Sequence, residues 1–288
     1  MLGAIIGDVA GSTYEVEEIK LLKTKNINYN DRIKILSKEV PLFNDRSSYT
    51  DDTVLTTSIA SSILNNKNYN DTLKEFGLRE LSLGLDKYGR CRFSKGFVDW
   101  LGSDYVGSSY GNGCAMRISP IANYFDSIQD ITYNTFLATY PSHNNAESYK
   151  ASLAVSYSIY LAKCKKSKNY IKNVIERLFN YNLDFDLNDL QHNYLFSSRA
   201  SKSVPQAIYC FLISNDFEDA IRNSISIGGD TDTIASITGA ISEAYYGIDK
   251  SIICDVEKYL PDYVIDITNK FYKELNKEEP FKQKQKSI

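Results

Sequence analysis

The opening segment MLGAIIGDVAGSTYE carries glycine at every fourth position, Gly3, Gly7 and Gly11, while Leu2, Ile5, Ile6 and Val9 fill a separate helical stripe. Residues four apart share one face of an α-helix, so this helix has a face with no side chains at all. Three interior glycines cost about 1 kcal/mol each relative to alanine. Such a helix persists only if another element packs against the bare face closely enough to compensate. Glu15 is expected to terminate it.

Helical periodicity continues through 53–66, 70–84, 146–164, 169–180, 205–214, 216–226 and 232–246, and sustained period-2 alternation is scarce. These patterns predict an all-α fold, one compact multi-helix domain over residues 1–275, followed by a charged, frayed tail at 276–288. Phe93, Phe97 and Trp100 are spaced for one helical face and are expected in the core. The chain has 288 residues, 43% hydrophobic and 24% charged, which is ordinary for a soluble globular protein. A formal charge of −3 argues against a protein whose main task is to hold nucleic acid, since phosphate neutralisation needs a basic field. Asp8 interrupts the N-terminal apolar stretch, and no run approaches the roughly 18 apolar residues of a membrane span. A cytoplasmic location is expected. The five cysteines are scattered without a CxxC pair, consistent with reduced thiols.

Two helix starts carry paired aspartates: Thr50-Asp51-Asp52-Thr53 and, after Gly228 and Gly229, Asp230-Thr231-Asp232-Thr233. A single N-cap needs one acceptor oxygen and stabilises by roughly 0.5–2 kcal/mol. The surplus carboxylates repel one another unless a cation sits between them. With two histidines in the chain, nitrogen and sulfur ligand sets are nearly absent, so a metal must be held by oxygen. That points to magnesium, manganese or calcium. Four carboxylates match two divalent cations better than one, and Thr50 and Thr233 can add hydroxyl ligands. The expected centre is a binuclear metal cleft. The loop SSYGNGCAMR exposes backbone amides suited to phosphate; as a bare Gly-Asn-Gly it is equally an ordinary turn. Arg117 suits a phosphate or a structural carboxylate, and His143, in a loop, is most often a surface or capping residue.

Taken in order, GDVAGSTYE, YTDDT, SYGNGCAMR, SHNNAE and GGDTDT resemble the ADP-ribosylglycohydrolase family over residues 1 to about 250. The resemblance implies two Mg2+ or Mn2+ ions at the centre of a single all-α domain, with Thr50, Asp51, Asp52, Asp230, Asp232 and Thr233 as ligands. It implies that Glu15 is a glutamate on a mobile loop that gates the site and assists catalysis together with Asp52 and Asp232. Ser109, Tyr110, Gly111, Asn112, Gly113, Ala115 and Met116 match the segment that binds ADP-ribose, and His143 matches a histidine near its phosphates. The segment KYGRCRFSKGF, Cys114 and the pair Asn145-Ala146 depart from the family pattern without removing a metal ligand. The implied activity is hydrolysis that releases ADP-ribose from an acceptor, a protein side chain and by preference arginine. The implied partners are ADP-ribose and ADP-ribosylated protein, acted on by a monomer that binds neither membrane nor nucleic acid. The alternatives are a noncatalytic ADP-ribose reader or structural protein, or a hydrolase of another ADP-ribosylated small molecule or nucleic-acid end.

Overall fold

The computed structural model describes residues 1–24, 33–86 and 89–281. Helices follow in the order α1 Leu2–Thr24, α2 Asp51–Leu64, α3 Tyr69–Ser82, α4 Lys95–Leu101, α5 Gly113–Met116, α6 Ser119–Tyr124, α7 Ile128–Thr139 and α8 Ala146–Lys163. The second half continues with α9 Lys168–Phe179, α10 Leu187–Asn193, α11 Ala200–Ile213, α12 Phe217–Ser226, α13 Thr231–Tyr246, α14 Lys250–Glu257 and α15 Asp262–Glu274. A short 3-10 turn covers Lys34–Leu36. Among the described residues the only β pairing is two isolated bridges, Ser108 with His143 and Gly111 with Arg199. The fold is all-α, as the periodicity predicts.

Polar caps set many of the helix starts. The side chains of Ser94, Ser127, Asn145, Ser167, Asp186 and Asp216 each accept from an amide three residues on, satisfying donors that the first turn leaves free. Helix α11 begins earlier than its proline suggests: Pro205 lies inside Ala200–Ile213, in the second turn. Helices α6, α7, α10, α14 and α15 fall outside the periodic segments named from sequence, although α14 and α15 each bury a helical stripe, Ile252 with Val256 and Val264 with Ile265, Thr268, Phe271 and Tyr272.

Helix α13 is the axis of the domain. Every residue from Thr231 to Ser242 is buried, with α1, α8, α11 and α12 packed around it. A helix covered on all sides must be narrow somewhere, and Ala235, Gly239 and Ala240 provide that. The bare face of α1 lies against it. A Cβ added at Gly3 would strike the Gly239 carbonyl, one at Gly7 the Ala235 carbonyl, and one at Gly11 the Thr231 carbonyl. Partner positions fall by four as the glycine positions rise by four, so the two helices run antiparallel in backbone contact.

The aromatic group forms as expected: Phe93 and Phe97 stack at 5.0 Å and Phe97 meets Trp100 at 5.2 Å. In the terminal segment expected to fray from Asn276, Phe281 is buried and exchanges backbone hydrogen bonds with the Asn269 side chain at 3.0 Å. Residues 282–288 lie outside the described residues. All five cysteines are free. No helix among the described residues is long and apolar enough to cross a membrane.

Candidate functional site

The axis helix and its partner bring the two aspartate clusters together. Thr50 is the N-cap of α2, its hydroxyl oxygen accepting from Asp52 N at 3.3 Å. Asp230 occupies the N-cap position of α13 without making a capping hydrogen bond. Its Oδ2 instead accepts from Asn112 Nδ2 at 2.8 Å. Gly228 and Gly229, at φ 74° and 78°, are in the left-handed region that glycine adopts without strain, and they turn the chain into the helix. Thr233 Oγ1 donates to Asp52 Oδ2 at 3.3 Å, so the two helix starts are joined directly.

A carboxylate that the sequence reading did not select lies between them. Asp8, fully buried on α1, accepts from Thr50 N at 2.9 Å, Thr50 Oγ1 at 2.7 Å, Thr53 N at 3.0 Å and Thr53 Oγ1 at 2.5 Å. It holds the start of α2 from outside that helix. Ser12 Oγ accepts from Ser48 N at 3.0 Å and fixes the approach of the 47–50 segment. One signal was available: Asp8 sits in an apolar helix with no cation three or four residues away.

Two acidic trios result, Asp8 with Asp52 and Asp232, and Glu15 with Asp230 and Asp232, each with ligand atoms within 4.8 Å of one another. Asp232 belongs to both. Asp51 lines the adjoining cleft but falls in neither trio. Mutual repulsion and burial leave these groups costly to ionise. Burial, then Asp232 and Asp8, hold Asp52 well above the usual carboxylate range. Burial, then Asp230, does the same to Asp232. Burial and then Asp232 push Glu15 up to about 9, with Arg90 opposing. Asp51 rises to about 8 through burial and then Asp8, and burial brings Asp230 to about 6 against the hydrogen bond from Asn112. Asp52 Oδ1 is buried with no hydrogen-bond partner. An all-oxygen donor set with an unpartnered buried carboxylate oxygen fits a hard divalent cation.

The second trio, together with Thr50, Asp51 and Thr233, lines a cleft of about 970 Å³, while Asp8 and Asp52 are not on its wall. Its lining includes Ser109, Gly111, Asn112 and Gly113 of the glycine loop, Met116 and His143, and also Asp86, Arg90, Arg92, Phe93, Phe97 and Trp100. Backbone bonds tie the loop down: Asn112 N donates to Ser198 O at 2.8 Å and Ala200 N to Tyr110 O at 3.0 Å.

Residues 1–278 match the profile of the ADP-ribosylglycohydrolase family. The chain belongs to that family. Curated relatives include the ADP-ribosylhydrolase ARH3 of Bos taurus, 26% identical over 313 residues that cover 87% of this chain and 84% of the relative. The ARH3 of Homo sapiens is 26% identical over 318 residues, covering 87% and 85%. A solved ADP-ribosylglycohydrolase-related protein complex has a chain that superposes with a TM-score of 0.61 at 17% identity, covering 96% of this chain and 92% of that one, which shows a shared fold.

Several expected site residues of this ADP-ribosylglycohydrolase take other positions than sequence suggested. Glu15 does not end a helix or sit on a loop: α1 runs on to Thr24, because residues 16–24 contain neither glycine nor proline. Glu15 continues the row of Gly3, Gly7 and Gly11, and so reaches the place where α13 begins. His143 is buried rather than on the surface. Tyr110 is 51% exposed beneath the Arg199 guanidinium, which lies 5.1 Å from its ring; it is absent from the cleft wall, as is the buried Ala115. Ser109, Gly111, Asn112, Gly113 and Met116 line the cleft.

Proposed function

We propose that this ADP-ribosylglycohydrolase is a metal-dependent hydrolase that removes ADP-ribose from a modified protein side chain. The observation that carries this reading is the pair of acidic trios sharing Asp232, one of which, Glu15 with Asp230 and Asp232, lines the cleft. If all ionise, Asp8, Glu15, Asp51, Asp52, Asp230 and Asp232 carry six negative charges. Arg117 acts on Asp51, whereas Arg90, which also acts on Glu15, is paired with Asp86 at 2.8 Å, so a large negative excess remains and two divalent cations would take up four of its charges. Asp8 thus joins Thr50, Asp51, Asp52, Asp230, Asp232 and Thr233 as a candidate for holding Mg2+ or Mn2+. Bound there, such ions supply Lewis acidity and lower the charge repulsion among the acids.

In glycosidic hydrolysis C1 of the ribose gains positive charge as the bond breaks, and a water must arrive on it. The acidic floor stabilises that charge. Glu15 stands at the edge of the floor beside Asp232 and is the candidate general base for the water. Ser109, Gly111, Asn112 and Gly113 offer the diphosphate a wall without large side chains, with Asn112 also fixing Asp230. Tyr110 and Ala115 support this segment from outside the cleft.

The arginine preference rests on acidic groups near the cleft. Arg90 and Arg92 also line the cleft, each beside an acid, Asp86 at 2.8 Å and Glu80 at 3.9 Å; a lining of paired charges accommodates an uncharged hydroxyl-linked acceptor as well, which is the second reading. Arginine-, serine- and glutamate-linked ADP-ribosyl substrates, incubated with Mg2+ or Mn2+, separate the two. Release from arginine alone supports the first reading and release from serine alone the second. Binding of ADP-ribose without release from any linkage identifies a noncatalytic reader and overturns the hydrolase.

A further inference from the structure

Arg117 is fully buried and has no carboxylate in hydrogen-bond contact. Neutral partners take up one end of the guanidinium, while Nε and Nη1 are buried without a hydrogen-bond partner and its charge acts on Asp51. Its Nη2 donates to Ala138 O at 2.9 Å and to Ser142 Oγ at 2.8 Å. Ser142 Oγ lies 2.7 Å from His143 Nδ1. His143 is itself anchored through its backbone, N donating to Thr139 O at 3.0 Å.

These contacts fix the direction of each proton. A guanidinium only donates, so Ser142 Oγ accepts from Arg117. Ser142 is buried, and the partner left for its own hydroxyl hydrogen is His143 Nδ1. If Nδ1 carried the imidazole proton, that hydroxyl hydrogen would be buried without an acceptor, which is unfavourable. Nδ1 therefore accepts and Nε2 carries the proton. The Nε2 edge faces the glycine loop, where a Cβ at Gly113 would stand 3.5 Å from Nε2 and one at Gly111 3.7 Å. Burial, and then the charge of Arg117, favour the uncharged ring.

We propose that Arg117, acting through Ser142, is a positioning residue that holds His143 as a neutral Nε2–H donor aimed at the phosphates lying along Gly111–Gly113. The ligand part rests on the ADP-ribose reading; the tautomer does not. A neutral donor binds phosphate oxygen without adding a proton that could be transferred during the reaction. It also leaves the charge balance of the acidic floor unchanged.

The chain has two histidines, and His192 is exposed on α10, so imidazole 15N spectra are simple to assign with a His192→Gln control. At pH 7 His143 is expected to show a protonated Nε2 and a bare, hydrogen-bonded Nδ1. A protonated Nδ1, or an imidazolium, overturns the proposal. In binding, glutamine keeps a neutral N–H near the Nε2 position. His143→Gln is expected to hold ADP-ribose within about threefold of wild type and His143→Leu to lose about tenfold, the equivalent of one neutral hydrogen bond. Ser142→Ala is expected to weaken binding about tenfold, with Ser142→Thr restoring it. Equal losses for the glutamine and leucine variants would overturn the neutral-donor role. A wild-type protein with the expected tautomer but no ADP-ribose affinity would refute the ligand reading while leaving the proton arrangement supported.

Discussion

Removing the Asp8 carboxylate separates two duties that the structure gives it: holding the start of α2 and adding charge to the acidic floor. Asp8 accepts two backbone amides and two hydroxyls from Thr50 and Thr53. In Asp8→Ala both hydroxyls can reorient, but the Thr50 and Thr53 amides are left buried without acceptors. At about 1–3 kcal/mol for each, the loss is on the order of 2–6 kcal/mol. Asp8→Asn keeps one oxygen for the amides and places its NH2 toward Thr50 Oγ1, which can turn to accept. That variant should lose no more than about 1–2 kcal/mol, the difference between charged and neutral acceptors. The charge duty appears only with metal, since a ligand at a hundred times its Kd stabilises by about 2.7 kcal/mol. Urea denaturation at pH 8, in chelator and then with excess Mg2+, reads both. Wild type should gain stability from Mg2+ and Asp8→Asn should gain much less. Asp8→Ala within about 0.5 kcal/mol of wild type in chelator, or equal Mg2+ stabilisation of Asp8→Asn and wild type, would refute the assignment.

Other perturbations have equally definite outcomes. Gly7→Ala drives a methyl into the Ala235 backbone, where nothing flexible can yield, and should cost about 1–3 kcal/mol in urea denaturation despite the better helix propensity of alanine; a stabilised variant would disprove backbone contact between α1 and α13. Glu15, Asp51 and Asp230 are raised in the fold to about 9, 8 and 6, so the stability they contribute is full below the ordinary carboxylate range and is lost as pH climbs through those values. The melting temperature of metal-free protein should therefore fall from pH 5 to pH 9, with saturating Mg2+ flattening the decline, and a rise over that range would reverse the electrostatic account. Glu15→Gln should lower turnover by about 10²- to 10⁴-fold and leave ADP-ribose affinity within several-fold, whereas unchanged turnover would remove the residue from catalysis.

The fold was largely legible where side-chain size carried the information. Gly3, Gly7 and Gly11 announced a close helix partner, and Gly228 and Gly229 announced the sharp turn before Asp230. What sequence could not identify was the partner, Thr231–Tyr246, because its own pattern of Ala235, Gly239 and Ala240 fits packing from several sides. Residues at helix starts were equally readable, since Thr50, Asp52 and Asp232 sit beside turn signals. Asp8 and Arg117 were not, for the same reason: each is a charged group whose partners come from distant segments. Asp8 is satisfied by residues 42 and 45 positions away, and the hydrogen-bond partners of Arg117 Nη2 lie 21 and 25 positions away. Glu15 was found by resemblance and placed on a loop by that resemblance, whereas the helix that carries it runs on to Thr24.

The central claim is that the acidic floor works with divalent cations to release ADP-ribose. Its most direct test is to strip the protein of metal and follow ADP-ribose release from an ADP-ribosylated protein as Mg2+ or Mn2+ is titrated back. The expected result is negligible release in chelator, recovery that saturates with added ion, and no recovery in Asp232→Asn, whose carboxylate is common to both trios. Equal release in chelator and in metal, or wild-type recovery in Asp232→Asn, would contradict it.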